Sequence, residues 1–400
     1  MHKFLSEKEV LYWDNSIFLD ALRKNSNIAV LGPNSCGKET LIKTHFASLK
    51  PKHALICDLN RLSISPEQFS IEFVGTIVWS YFSNNSVERS KYYDADFLIE
   101  QALSKQCKEI IGVIQNELQK IKPDQTLLLE SAFDFSEYFA KHIKQKMSIA
   151  FLNFENLLDF NNYSQIRDIL DLFFTRMNSH KHVNYIFSSS FTNKLTGLLK
   201  YRVDLLEMKY WDKDATIHYI EKVLKYNFDR HVISQIYNFS GGIPFLVRTL
   251  SKSLYLKFKE EQSTKQDSFK ISNENLFAFF VQNLSSKFSP LYSFCNKTYS
   301  TALTNARGAT LLKVVLKVMT HNPDLRLTEI ARQVYRSGPV TKSLLERLME
   351  VDIIKKEGKV FVFATPLLKI WCKLMFNNIS IKDSDIISLA SLAELEDFLR

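Results

Sequence analysis

The stretch IAVLGPNSCGKETLI, residues 28–42, constrains this chain more than any other. It opens on four apolar residues that read as a buried strand, passes two glycines, and continues with helical spacing over about 38–48. Gly32 and Gly37 free the backbone to curl its amides around an anion, and Lys38 follows at the spacing GxxxxGK. Between a strand and a helix, this spacing reads as a phosphate-binding loop made of Gly32, Pro33, Asn34, Ser35, Cys36, Gly37, Lys38, Glu39 and Thr40. In such a loop the lysine reaches the β and γ phosphates and the next side chain ligates magnesium. The alternative is a tight glycine turn with a solvated lysine. Glu39 stands where a hydroxyl is expected; its carboxylate is either an oxygen ligand for Mg or a solvated acid at the positive end of the helix dipole.

Further apolar runs at 53–59, 148–154 and 183–190 read as strands, with helical spacing to about Tyr81, over 134–146 and over 163–177. Ser65 before Pro66 reads as a helix N-cap, residues 18–23 as a helix, and 84–124 as a polar, mainly helical excursion. The β-α-β-α-β alternation predicts an α/β fold, a P-loop NTPase parallel sheet flanked by helices. Past Trp211 strand signals vanish to about Lys287, which predicts an all-α lid. LLKVVLKVM, LTEIARQVY and VTKSLLERLMEVDII, followed by KKEGKVFVF, predict a winged helix-turn-helix domain. The expected domains are 1–211, 212–300 and 301–376, with an amphipathic C-terminal tail over 377–400.

Phosphoanhydride hydrolysis needs an acid at a neighbouring strand end to hold magnesium and a carboxylate to activate water. In AFLNFENLLDF, Asn153 or Leu152 takes the aspartate position, depending on register, and Glu155 is the nearest carboxylate. Glu155 polarises water or ligates the metal on one reading and is a surface acid on the other. Ser188, Ser189 and Ser190 place hydroxyls near a γ phosphate, or cap the next helix. Arg202 stabilises transition-state charge, in cis or toward a neighbouring subunit, or is a surface arginine.

The formal net charge of +9 is concentrated late: residues 306–376 carry +7 and the tail 377–400 carries −3. On a winged helix, Thr341, Lys342, Ser343 and Arg347 would face outward, with Lys355, Lys356 and Lys359 on the wing. That surface suits DNA or a protein partner. Leu344, Leu345, Leu348 and Met349 read as core. The 5 cysteines are dispersed and read as reduced thiols. Apolar runs broken by lysines fall short of the ~20 residues of a bilayer span, and the start does not read as a secretory signal. No membrane insertion and a cytoplasmic setting are expected.

Taken in order, FLDALRK, IAVLGPNSCGKETLI, SPEQF, AFLNFENLL, YIFSSS and FSGGIPFLVRTL resemble the archaeal-type ATPase family, a branch of P-loop ATPases near the AAA+ and STAND groups. With FVFATPLLKIWCKLMF the resemblance covers most of residues 10–376. It implies a helical lid opened by Gly241-Gly242-Ile243-Pro244, with Pro244 near the nucleotide, and a terminal winged helix. Two departures stand out. Glu39 matches bacterial enhancer-binding AAA+ proteins, which carry GKE, whereas the aspartate missing near Asn153 bears directly on hydrolysis. The reading is an ATP-binding, nucleotide-dependent switch with ATP, ADP and Mg as ligands, weak hydrolysis, lysine Lys38 and Glu155 as its chemistry, and a nucleotide-dependent oligomer as one possible state. The alternative is a non-enzymatic DNA-binding or assembly protein whose P-loop fold is scaffold only.

Overall fold

The computed structural model describes residues 27–49, 53–63, 65–82, 88–261, 273–303, 308–322 and 324–376. The helix expected at 18–23 and the tail 377–400 lie outside the described residues. The chain divides into two compact units, one of Met1–Gly32 with Lys38–Met208, the other of Pro33–Gly37 with Lys209–Arg400.

The first unit is built on a parallel sheet of β1 (Ile28–Leu31), β2 (Ala54–Asp58), β3 (Met147–Leu152), β4 (Val183–Ser189) and β5 (Asp204–Glu207), in the order β2-β3-β4-β1-β5. All its pairings are parallel, as the β-α alternation predicts for strands covered by helices on both faces. β1 is buried along its length between β4 and β5. β5 carries no sequence signal: DLLE has a charge at each end and is only half-buried at the sheet edge.

Ser65 caps the helix Pro66–Phe82 as expected, its Oγ accepting the Gln68 N–H at 3.1 Å. The helix placed at 134–146 is instead Gln125–His142, because Asp124 accepts the Leu127 N–H at 3.0 Å and starts it earlier. The helix placed at 163–177 runs over Ile169–Ser179, started by Asp168. The polar excursion holds the helices Ala95–Glu100 and Lys105–Leu118.

Phenylalanine dominates the core under the sheet. Phe133 meets Phe173 edge-on at 4.9 Å between ring centroids, and Phe154 meets Phe187 at 4.6 Å. Phe69, Phe73 and Phe151 extend the cluster, all buried. Truncating one such ring to alanine typically costs ~3–5 kcal/mol.

The second unit is helical from Lys213–His218 through Arg230–Ser240, Pro244–Glu261, Asn273–Ser285 and Pro290–Leu303. Three further helices follow, Ala309–His321, Leu327–Gln333 and Gly338–Glu350. With them goes an antiparallel sheet of β6 (Leu325–Arg326), β7 (Ile354–Glu357) and β8 (Val360–Phe363) in the order β6-β8-β7, and the last described helix is Pro366–Phe376. The Gly241-Gly242 turn is tightly packed within this unit. A Cβ on Gly242, whose φ is +73°, would lie 1.9 Å from the Trp211 carbonyl oxygen. Pro244 then opens the next helix, where its fixed φ suits the first position and its missing N–H is not needed.

Candidate phosphate-binding site

The register Leu31↔Ser189 puts the end of β1 beside the end of β4, and the Gly32 N–H extends that pairing to the Ser189 carbonyl at 3.2 Å. The loop leaves the sheet here. Ser35 and Gly37 adopt positive φ, +60° and +106°, a left-handed backbone that turns successive amides toward a common side and favours anions. Cys36 is buried beneath the loop, its N–H donating to the Pro33 carbonyl at 3.4 Å.

Lys38 is only 6% exposed, an uncommon state for an ammonium. Its Nζ donates to the Gly32 carbonyl at 2.6 Å and to Ser190 Oγ at 3.2 Å. Fixed acceptors at the strand ends therefore hold the side chain folded back over its own loop.

Glu39 takes the other course. Its carboxylate is exposed on the first turn of Lys38–Ser48 and pairs with Lys43 at 3.2 Å, one turn along. This i,i+4 pairing runs along the solvent face, near the positive end of the helix dipole. Thr40 is half-buried.

The strand expected over 148–154 ends at Leu152. Asn153 adopts the left-handed conformation, φ 56° and ψ 48°, and starts a short 3-10 stretch, Phe154–Asn162. The turn drops Phe154 into the aromatic core and swings Glu155 toward β4. Asn153 itself donates through Nδ2 to Asp58 Oδ1 at 2.8 Å, at the end of β2. Leu152 is buried. Neither residue at the aspartate position offers a carboxylate, and the acid next to Asn153 belongs to a strand separated from β1 by β3 and β4.

Glu155 does arrive beside the lysine. Burial pushes its carboxyl above the usual range, against the lowering effects of the Ser189 hydroxyl and the nearby Lys38 charge. Ser189 Oγ already accepts the Phe191 N–H at 3.0 Å, so its proton is available to Glu155. Glu155 Oε2 is buried without a hydrogen-bond partner. An unsatisfied buried acceptor of this kind costs roughly 1–3 kcal/mol. Lys38, Ser189, Ser190 and Glu155 are thus brought together.

Arg202 is not brought to this group. It precedes Asp204, which pairs with Ile28, so it lies at the sheet edge where strands begin, opposite the loop. Its guanidinium pairs with Asp171 and sits 5.3 Å from the Phe174 ring centroid. The cis role assigned to Arg202 is corrected by this register. Pro244 opens the helix that follows the turn packed on Trp211.

In the second unit Thr341 is fully buried, its hydroxyl donating to the Ser337 carbonyl at 3.0 Å. Its assignment to a partner surface is corrected: 341, 344, 345 and 348 share one face of Gly338–Glu350, and that face is the core. Met349 is half-buried rather than core, and Arg347 is half-buried too. Lys342, Lys355, Lys356 and Lys359 are exposed. Lys342 pairs with Glu346 at 3.7 Å and Lys355 with Glu357 at 2.8 Å, while Lys356 lies 5.9 Å from the Phe361 ring centroid.

Sequence reasoning missed two residues that touch the loop tip. Asp352 Oδ2 accepts the Asn34 N–H at 2.6 Å, and the Tyr210 hydroxyl donates to the Asn34 carbonyl at 3.1 Å. No spacing in the sequence relates position 34 to 210 or 352. For magnesium the donor set is sparse. No group of three or more His, Cys, Asp or Glu side chains able to hold a metal occurs among the described residues.

A parallel sheet in this order, with a lysine-bearing glycine loop leaving β1 between β4 and β5, is the fold of P-loop ATPases. The chain is similar to several solved structures. The Walker-type ATPase of Pyrococcus abyssi superposes with a TM-score of 0.59 at 16% identity, over 93% of this chain and 96% of that one. The Aeropyrum pernix ORC2 protein gives 0.45 at 10% identity, over 94% of this chain and 95% of that one. The Thermotoga maritima RuvB Holliday junction branch migration motor gives 0.42 at 10% identity, over 90% and 92%. No protein-family model matches the chain, and no curated protein matches its sequence. No helix among the described residues is long and apolar enough to cross a membrane.

Proposed function

We propose that this chain is an ATP-binding switch protein, in which Mg-ATP on the loop of residues 32–40 changes the state of the C-terminal unit and is hydrolysed slowly. The observation that carries the reading is Lys38, a buried ammonium held by Gly32 and Ser190 with the carboxylate of Glu155 close by. Lys38 and the loop amides would hold the phosphates. Glu155, with Oε2 uncommitted, would accept the proton of the attacking water. Bound magnesium would neutralise phosphate charge. The missing aspartate supports slow rather than fast turnover. The three helices and hairpin over 309–363 form, on this reading, a winged helix that serves as the output.

The similarity to a Walker-type ATPase supports the choice of nucleotide. The test is nucleotide binding and turnover with wild type beside Lys38→Ala, Glu39→Thr and Glu155→Gln. Wild type should bind Mg-ATP and Lys38→Ala should not. Glu155→Gln should bind but turn over more slowly, and Glu39→Thr should alter magnesium dependence only mildly, since Glu39 faces Lys43. Absence of ATP and ADP binding in folded wild type sinks the reading.

A second reading rests on the exposed lysines of Gly338–Glu350 and the β7–β8 hairpin: a DNA-binding or assembly protein for which the P-loop fold is scaffold. It expects salt-sensitive duplex affinity, indifferent to nucleotide and lost on reversing Lys342 and Arg347 to Glu. Unchanged duplex binding after that reversal removes it.

A further inference from the structure

Inside the first unit, at the start of β4, four side chains make a continuous run of polar contacts. Tyr185 is buried, its hydroxyl 2.6 Å from Ser136 Oγ on the helix Gln125–His142 and 2.8 Å from Nδ1 of His180, the residue that ends the helix Ile169–Ser179. Ser136 Oγ donates to the Phe133 carbonyl at 2.7 Å. The other imidazole nitrogen, Nε2, lies 3.4 Å from Asp134 Oδ1. The His180 side chain is 3% exposed, so these partners rather than water decide where its protons sit.

A hydroxyl has one proton to give, and that limits the arrangement. Ser136 gives its proton to Phe133. Tyr185 also has one, because burial pushes its phenol far above the usual range and keeps it neutral. With Ser136 committed, the Tyr185 proton points to Ser136, and His180 Nδ1 must donate to Tyr185. An ionised Asp134 only accepts, so Nε2 must donate as well. A neutral imidazole carries a single N–H. On Nδ1 it leaves a bare Nε2 facing a carboxylate; on Nε2 it forces the Tyr185 and Ser136 hydroxyls to reverse together, and the Phe133 bond is lost. Only the imidazolium makes all of these contacts at once.

The surrounding charges leave room for one more cation. Glu130, Asp134 and Glu137 project from Gln125–His142; burial opposes ionisation of Glu137, but His182 and the Lys181 and His182 amides hold its carboxyl below the usual range. Facing these carboxylates are Arg176, 2.6 Å from Glu130 and 3.2 Å from Asp134, and Lys141, 3.4 Å from Glu137. Lys181 is exposed, and the half-exposed His182 lies 2.7 Å from Glu137. Arg176 opposes a charge on His180, and the carboxylates outnumber the fixed cations that they hold. We propose that His180 is a proton-operated latch: as an imidazolium it ties the start of β4 to the helices Gln125–His142 and Ile169–Ser179, and loss of one proton breaks that set of bonds. The charged form is the better bonded one in the folded chain. Its contribution to stability is therefore present below the ordinary histidine range, about 6.5, and is lost as pH rises through the titration of His180 in the fold. The latch lies within the first unit and is independent of nucleotide.

The test uses the full chain with isotope-labelled histidine. Imidazole NMR reads the protonation of each ring nitrogen from about pH 5.5 to about pH 8.5, with His180 assigned by the loss of its signals in His180→Gln. Both nitrogens of His180 should carry a proton at about pH 7. In thermal melting, wild type should gain about 2–4 °C on His180→Gln as pH falls across that range, and His182→Gln should respond as wild type does. Tyr185→Phe, which keeps the ring and removes the acceptor of Nδ1, should lower the titration of His180 by about one pH unit. A singly protonated His180 at about pH 7, on either nitrogen, overturns the proposal, and so does a titration indifferent to Tyr185→Phe. Should His180→Gln fail to fold, the signals displaced by Tyr185→Phe assign His180, and the wild-type spectrum decides.

Discussion

Two groups of lysines in this chain differ in almost every physical respect. Lys38 is buried and fixed by a strand-end carbonyl and a hydroxyl, contacts that exist only because β1 and β4 end side by side. Lys342, Lys355, Lys356 and Lys359 are solvent-exposed, and the first two lean on glutamates four and two residues away on their own elements. The first arrangement is preorganised by tertiary structure and costs desolvation to keep. The second is local and screened by salt, and such pairs contribute little, typically under ~1 kcal/mol. Position within the fold, more than charge, separates a site from a surface.

The largest effect that tests this contrast is on nucleotide. Lys38→Ala should lower Mg-ATP affinity by at least ~10³-fold, about 4 kcal/mol, whereas Lys342→Ala should leave it unchanged in the same titration. Equal losses would erase the contrast. Next comes a substitution at the boundary between the two kinds of environment. Thr341 is one residue from Lys342 yet fully buried, so Thr341→Arg should destabilise by ~3 kcal/mol through an unpaired buried charge. Lys342→Glu should stay within ~0.5 kcal/mol. Urea denaturation of the two variants measures both.

Glu155 sharpens the comparison from the acidic side. Its carboxyl titrates higher in the folded protein than in the unfolded chain, so the folded state holds its proton more tightly. Stability is therefore lost as pH rises from the ordinary carboxylate range through the raised value, and it is recovered on acidification. Glu155→Gln should melt at a higher temperature than wild type at neutral pH, an advantage that shrinks as pH falls toward the ordinary carboxylate range, while turnover drops by ~10²-fold. Scanning calorimetry across pH and a phosphate-release assay test the two halves separately. A variant that is less stable and equally active would place Glu155 among structural acids.

The parallel sheet was legible because its strands are short apolar runs bounded by turn chemistry, and the loop because glycine spacing encodes a backbone shape. β5 was not legible, since DLLE owes its strand character to pairing with β1 rather than to its own pattern. Glu155 was readable only as a displaced acid. Its placement depends on the left-handed turn at Asn153 that buries Phe154, and a single sequence does not announce positive φ at an asparagine. Thr341 could have been placed correctly, as its spacing to Leu344, Leu345 and Leu348 is that of one helix face. Asp352 and Tyr210 could not. Their partner lies more than a hundred residues away in sequence, and no periodicity connects them.

The smallest expected effect concerns the hairpin lysines, where the comparison is most exposed to failure. If Lys355 and Lys356 are solvated charges with local partners, Lys355→Glu with Lys356→Glu should change neither melting nor Mg-ATP affinity measurably. If they contact a phosphate backbone, each lost contact should reduce the salt slope of duplex affinity by ~1, without altering which sequence is preferred. Fluorescence anisotropy on a random duplex at several salt concentrations distinguishes the cases. On the physical picture drawn for the two lysine groups, the slope stays unchanged: a lysine already 2.8 Å from Glu357 releases few counterions when it meets a phosphate, because it must first give up a carboxylate.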